Sequence, residues 1–261
     1  MTAAGRVHYD VHDNVATISL ERAPVNALSV PFLDEILEAL RRGATDENVR
    51  AVVLRSAVPD RFCAGLDMDI LLGKPAAEIR DFVGKLYSEL RDVQSAMTKP
   101  TIAAVNGAAR GGGMTLAISC DVILASEAST FGYPEIDLGL VPAIHFAHLH
   151  RILGRHRAFE LLFSGRSFDA GEARELGLVS RVLPEGALDA GATALANTFA
   201  GKSPTALRAG RAAFLRASDM GYRRGIEEAV DDFADVAATP DAQEGLRAFL
   251  EKRGPSWKKP G

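Results

Sequence analysis

The feature that most constrains the fold is an alternation, over the first two thirds of the chain, of short β-rich runs with stretches of helical periodicity. Val7–Val11 and Val15–Leu20 flank an Asp13-Asn14 turn signal, so the chain is expected to open with a hairpin. Ser29-Val30-Pro31 then supplies a cap and an early proline, and Phe32, Leu33, Ile36, Leu37 and Leu40 follow at helical spacing. Ala51–Leu54 reads as a buried strand. Ile79, Phe82, Val83, Leu86, Leu90, Val93 and Met97 predict one long amphipathic helix over 76–97. Thr101–Val105 and Val122–Leu124 are further strands, and 143–164 reads as a helix. Strands separated by helices call for parallel pairing and an α/β class.

From about residue 186 the strand signals stop. Ser203-Pro204 and Thr239-Pro240 are each a cap followed by a first-turn proline, and helices are expected over 204–217, 219–238 and 240–252. They are too short and alanine-rich to hold a separate core. The division predicted is an α/β core over 1–200 and a helical region over 201–261 that packs on the core or on another subunit.

Composition narrows the function. Thirty Lys+Arg against 34 Asp+Glu, and 7% aromatic residues, carry no footprint for nucleic acid or an anionic membrane. Cys63 and Cys120 are 57 residues apart without a CxxC pair, which fits free thiols in a reducing compartment. The N-terminus lacks a signal-peptide apolar core and no run reaches about 18 apolar residues. A soluble, cytoplasmic protein is the expectation, with a soluble organelle protein as its variant.

Two glycine-containing segments follow strands and open helices: Phe62-Cys63-Ala64-Gly65-Leu66-Asp67-Met68 and Gly107-Ala108-Ala109-Arg110-Gly111-Gly112-Gly113-Met114. Helix starts leave backbone N–H groups unpaired, so each is a potential anion site, although such a turn is also common as plain structure. Neither matches the P-loop or dinucleotide fingerprints. Together they can aim one N–H each at a single oxygen. A third segment, Phe131 to Pro142, is expected to be irregular and holds Glu135 and Asp137 among apolar residues. Glu135 is either a solvated loop residue or, if walled in, a carboxylate raised toward general acid/base use.

Ala64-Gly65-Leu66-Asp67, Val105-Asn106-Gly107 with Gly111-Gly112-Gly113, Cys120-Asp121, and Phe131-Gly132-Tyr133-Pro134-Glu135-Ile136 with Gly139 resemble the enoyl-CoA hydratase/isomerase (crotonase) superfamily. The similarity runs in order from Asn26-Ala27-Leu28 to about Pro184 and resumes at Lys252-Arg253-Gly254-Pro255. It implies a spiral of ββα units followed by C-terminal helices that assemble trimers, often paired into hexamers, and an acyl-CoA thioester substrate with no cofactor beyond its CoA moiety. It also implies that the Leu66 and Gly112 amides hold the thioester oxygen. CoA would then lie against Pro24, Val25, Ala27, Ala64, Asp67 and Met68. Lys252 is either a solvated helix end or a partner of a CoA phosphate from a neighbouring subunit.

Hydratases of this kind hold water between two glutamates. Glu135 matches one, whereas the other position, two residues after the triple glycine, is Thr115, which cannot take a proton from water near neutral pH but can donate and accept hydrogen bonds. The resemblance therefore favours 3-enoyl-CoA to 2-enoyl-CoA isomerisation with Glu135 as the single acid/base. A hydratase or hydroxycinnamoyl-CoA hydratase-lyase activity and a non-catalytic binding or assembly subunit are the alternatives. Ala143 stands near where dienoyl-CoA isomerases place an aspartate, which argues against that branch. His145 and His148 share a helix face, with His150 nearby. They read as packing or solvated side chains, a metal site being the competing reading that is not adopted. His145 and Asp137 are auxiliary candidates beside Thr115.

Overall fold

The structure, a computed structural model, describes residues 5–218 and 222–256. Strands β1 (Arg6–His12) and β2 (Val15–Glu21) form the expected hairpin, closed by Asp13 and Asn14, both at positive φ. Helix α1 (Val30–Thr45) starts where predicted, the Ser29 side chain accepting from the Phe32 N–H.

Three units of one design follow. In each, a strand of a large sheet leads to a short strand of a small sheet and then to helix. The first is β3 (Ala51–Ser56) and β4 (Arg61–Cys63), followed by α2 (Ala76–Gly84) and α3 (Leu90–Ala96). The second is β5 (Thr101–Val105), β6 (Ala108–Arg110) and α4 (Gly112–Ser119). The third is β7 (Val122–Ser126), β8 (Thr130–Gly132) and α5 (Ala143–Leu153). Then come α6 (Arg155–Ser164), β9 (Ser167–Asp169), α7 (Ala170–Glu175), β10 (Arg181–Leu183), α8 (Leu188–Ala200), α9 (Pro204–Ser218), α10 (Tyr222–Ala237) and α11 (Pro240–Leu250). The large sheet is ordered β1-β2-β3-β5-β7-β10 and the small one β4-β6-β8-β9. Pairing from β2 to β10, and from β4 to β8, is parallel. This is the ββα spiral.

Strand periodicity divides the core. Val52, Leu54, Ala103 and Val105 face the main cluster with α1, whereas Ala51, Val53, Ile102 and Ala104 face the opposite side. Helix α8 covers that second face with Leu188, Ala192, Ala196 and Ala200, one apolar residue per turn. Helix α10 lies on α2 and α5 and buries Ile226, Phe233 and Ala237. No helix of the described residues is long and apolar enough to cross a membrane.

Three expectations are corrected. The helix over 143–164 is two helices, because Gly154 takes φ +79 and ends α5 with its N–H on the His150 carbonyl. The helix over 76–97 contains a π turn at Lys85–Glu89. That turn inserts one residue into the periodicity, so that Leu86 and Tyr87, neighbours in sequence, are both buried. Within the irregular 131–142 segment, the structure places the end of β8 and a 3₁₀ turn over Pro134–Leu138. The short strands of the small sheet were not legible, each being only three residues long.

Candidate active site

Because β4, β6 and β8 are parallel neighbours, the segments leaving their carboxyl ends lie side by side, the usual place for a ligand in an α/β sheet. Leu66 comes three residues after β4, Gly112 two after β6, and Glu135 three after β8. Residues scattered over 69 positions of sequence are thereby brought to one edge.

The close approach depends on particular glycines. A Cβ on Gly113 would stand 2.2 Å from the Cys63 carbonyl oxygen, so only glycine lets α4 pack onto β4. Gly111, at φ +47, turns the chain from β6 into α4. Gly112 is the first residue of α4, where the amide has no intrahelical acceptor. Leu28 donates to the Gly65 carbonyl at 2.7 Å and accepts from the Asp67 N–H at 2.9 Å, a parallel bridge that turns the amide of the intervening Leu66 away from Leu28. The Leu66 side chain lies over Gly112, 2.8 Å from where a Cβ there would sit. The first glycine segment opens a 3₁₀ turn at Met68–Ile70 rather than the α-helix expected, so no helix dipole is aimed from it.

Glu135 lies against Gly111. A Cβ on Gly111 would stand 2.6 Å from its Oε1. Its Oε2 is buried without a hydrogen-bond partner, and burial pushes the carboxyl up to about 7. Tyr87 and Tyr133, both buried, are raised above the usual phenol range, first by desolvation and then by the Glu135 charge. Neither tyrosine was assigned a role from sequence. The π turn takes Tyr87 out of the apolar periodicity, and nothing local sets Tyr133 apart from its neighbours.

Thr115 is buried one turn into α4, its Oγ1 3.5 Å from the Gly111 carbonyl and 3.4 Å from Nε2 of His145. His145 Nδ1 is 3.2 Å from His148 Nε2, and its ring centroid is 4.5 Å from that of Tyr133. Burial holds His145 well below the ordinary histidine value and takes His148 down to about 4, so both are neutral at physiological pH. His150 is exposed, donating from Nδ1 to the Phe146 carbonyl at 2.9 Å, and stands outside that pair. Asp137 is exposed and lies against Gly165, 2.8 Å from where a Cβ there would sit. Of the three auxiliary candidates, the structure brings Thr115 and His145 together and leaves Asp137 at another surface.

The two segments expected along CoA meet. The Ala64 N–H donates to the Val25 carbonyl at 3.0 Å, and Asn26, at φ +52, donates from Nδ2 to Ser56 Oγ and the Phe62 carbonyl. Pro24, preceded by a cis peptide, and Ala64 are exposed, while Val25, Ala27 and Met68 are half-buried. The Asp67 carboxylate, in contrast, is taken by Arg22 Nη2 at 2.7 Å. Arg22 also donates to the Ala27 carbonyl from Nη1 at 2.6 Å, tying both segments together. Sequence reasoning missed Arg22 because nothing local marks a partner 45 residues away.

Such a spiral, with this clustering at the ends of three neighbouring strands, is the fold of the crotonase superfamily. Comparison with known proteins agrees. The sequence profile of enoyl-CoA hydratase/isomerase matches residues 10–260. The chain is 37% identical over 247 residues to 2,3-dehydroadipyl-CoA hydratase of Escherichia coli K12, covering 94% of this chain and 95% of that protein. It is 36% identical over 240 residues to the mitochondrial methylglutaconyl-CoA hydratase of Mus musculus, covering 89% and 76%. Among solved structures, an enoyl-CoA hydratase/isomerase from Xanthobacter autotrophicus Py2 superposes with a TM-score of 0.86 at 28% identity over 97% of this chain and 98% of that one. The chain belongs to the enoyl-CoA hydratase/isomerase family.

Proposed function

We propose that the protein moves the double bond of a 3-enoyl-CoA thioester to position 2, with Glu135 as the only proton carrier. The observation that carries this reading is the pairing of one buried carboxylate, raised to about 7, with Thr115 where a second glutamate would be needed to hold water. The Glu135 carboxylate takes a proton from C2, and the electron pair left behind spreads into a dienolate whose negative oxygen is held by the Leu66 and Gly112 N–H groups. The protonated Glu135 then returns the proton at C4 and the double bond closes between C2 and C3. Atoms and charge balance without water. CoA lies along Pro24, Val25, Ala27, Ala64 and Met68, while Asp67 acts by holding Arg22 rather than by touching the ligand. Assembly into trimers or hexamers is part of this reading and is supported by the exposed face of α9, where Phe214 is 70% exposed.

Hydration is the second reading, favoured by the names of the relatives and by the Thr115 hydroxyl, which can seat a water for Glu135. Incubation with a 3-enoyl-CoA and, separately, a 2-enoyl-CoA decides between them, with Glu135→Gln in parallel. Appearance of the conjugated thioester from the 3-enoyl substrate, lost in the variant, is the expected result. Disappearance of the 2-enoyl chromophore in place of it would establish hydration.

A further inference from the structure

The Gly112 N–H is one end of a peptide group whose other end is the Gly111 carbonyl. Hydrogen bonds accepted by a peptide oxygen draw electrons from its nitrogen and leave the N–H a stronger donor. Leu66 shares its peptide with the Gly65 carbonyl, which accepts from the Leu28 N–H at 2.7 Å. The Gly111 carbonyl accepts from the Thr115 N–H at 3.1 Å, at the start of α4. What sets Gly112 apart is the side chains behind it. Thr115 Oγ1 also donates to the Gly111 carbonyl, at 3.5 Å, and His145 Nε2 lies 3.4 Å from that Oγ1. A threonine bonding back four residues along its own helix is commonplace. Here a second polar group, from α5, converges on the same place, and both side chains are buried.

We propose that Thr115 and His145 are positioning residues that strengthen the Gly112 donor from behind, through the peptide bond that it shares with Gly111. This rests on the acyl-CoA reading above. The hydrogens run in one direction. Thr115 gives its hydroxyl hydrogen to the Gly111 carbonyl, so the hydrogen in its contact with His145 comes from Nε2. The Gly111 carbonyl, which can only accept, acts on that ring as well: desolvation and then His148 hold His145 well below the ordinary histidine value, and the carbonyl opposes them. With its hydrogen on Nε2 the neutral ring has a bare Nδ1, which accepts from His148 Nε2 at 3.2 Å. Burial makes each bond of this chain electrostatically stronger than it would be in water. The two contacts at Thr115 are long, and contacts of this kind tighten when a site is loaded. A negative charge growing on the substrate oxygen would be met by an N–H backed by a row of aligned donors.

The test reads the strength of that hydrogen bond directly. Isotope-edited infrared spectra are recorded of butanoyl-CoA and octanoyl-CoA, saturated thioesters that cannot react, labelled at the thioester carbonyl and bound to the wild type, Thr115→Val, Thr115→Ser and His145→Leu. Only bound ligand contributes, so partial loss of folded protein does not move the result. Binding to the wild type is expected to lower the carbonyl stretch from its value in water. Thr115→Val keeps the shape of the side chain and is expected to lose about 10–30% of that lowering, His145→Leu to move the same way and Thr115→Ser to retain it. On a 3-enoyl-CoA, Thr115→Val is expected to lower kcat with KM unchanged, by less than the roughly 10²–10³-fold that follows removal of an oxyanion donor outright. Nitrogen NMR of labelled histidine is expected to find the hydrogen of His145 on Nε2. Full lowering in both Thr115→Val and His145→Leu, a loss in Thr115→Ser equal to that in Thr115→Val, or the His145 hydrogen on Nδ1 overturns the proposal and leaves the acyl-CoA reading in place. No lowering in the wild type with either thioester overturns both.

Discussion

Oε1 of Glu135 stands 2.6 Å from the place a Cβ would occupy on Gly111, the residue before the amide proposed to hold the substrate oxygen. The absence of a Cβ on Gly111 leaves the carboxylate room beside the residue that precedes the proposed oxyanion amide. The missing side chain is as much a part of the site as the carboxylate it admits.

Gly111→Ala tests this directly. The substitution forces an alanine to φ +47 and against a carboxylate oxygen, and it is expected to destabilise the fold by about 1–3 kcal/mol. The displaced Glu135 is expected to lower kcat more than it raises KM. Thermal unfolding and steady-state kinetics on a 3-enoyl-CoA check both, and unchanged kcat in a folded variant would contradict the proposed proximity.

Glu135→Gln keeps the shape of the side chain and removes its proton chemistry. The expected loss in kcat is roughly 10²–10⁴-fold. The same variant is expected to bind a saturated acyl-CoA, since the Leu66 and Gly112 amides are untouched. Loss of binding would show that the carboxylate supports the pocket and not only the reaction.

The pH dependence follows from the raised carboxyl. Glu135 must begin as the carboxylate, so kcat/KM is expected to rise with pH through about 7, and a limb centred near 4.5 would refute the burial argument. Stability moves in the opposite sense. A carboxyl raised in the folded state from 4.5 to about 7 contributes stability that is fully present below 4.5 and lost as pH rises through about 7. Its removal in Glu135→Gln is expected to flatten the fall in Tm over that window. His148, depressed from 6.5 to about 4, contributes stability present above 6.5 and lost as pH falls through about 4.

Arg22→Met should separate binding from chemistry. Arg22 and Asp67 have side chains only 7% and 17% exposed, and breaking the pair leaves a half-buried carboxylate without its cation at a cost of about 1–3 kcal/mol. The segments around Ala27 and Met68 lose their common anchor, so KM for the thioester is expected to rise while the pH limb stays in place. A double replacement, Arg22→Met with Asp67→Leu, is expected to recover Tm without recovering KM. Recovery of both would reduce the pair to a packing role.

The amphipathic spacing of α1, the cap at Ser29, the Asp13-Asn14 hairpin and the parallel class of the large sheet were legible because each rests on contacts within a few residues or on a side-chain period. The ordered motifs at Ala64–Asp67, Gly111–Gly113 and Pro134–Ile136 were enough to identify the family by resemblance. Strands β4, β6 and β8 were not legible, since three residues carry no period. The break at Gly154 was not either: a glycine inside an apolar pattern is compatible with a helix until tertiary packing requires φ +79. The ion pair of Asp67 with Arg22 was not legible either, since no local pattern records a reach across the fold.

The amino-acid sequence alone determined the α/β class and the identity of the groups available for chemistry: one glutamate, two glycine turns, and a threonine where hydratases carry a second carboxylate. The tertiary structure decided what those groups are. Parallel pairing of β4, β6 and β8 placed Leu66, Gly112 and Glu135 at one edge, and the apolar wall around them moved the carboxyl from 4.5 to about 7. Proximity across parallel strands and loss of solvent are properties of the packed chain, because each depends on atoms supplied by residues far apart in sequence.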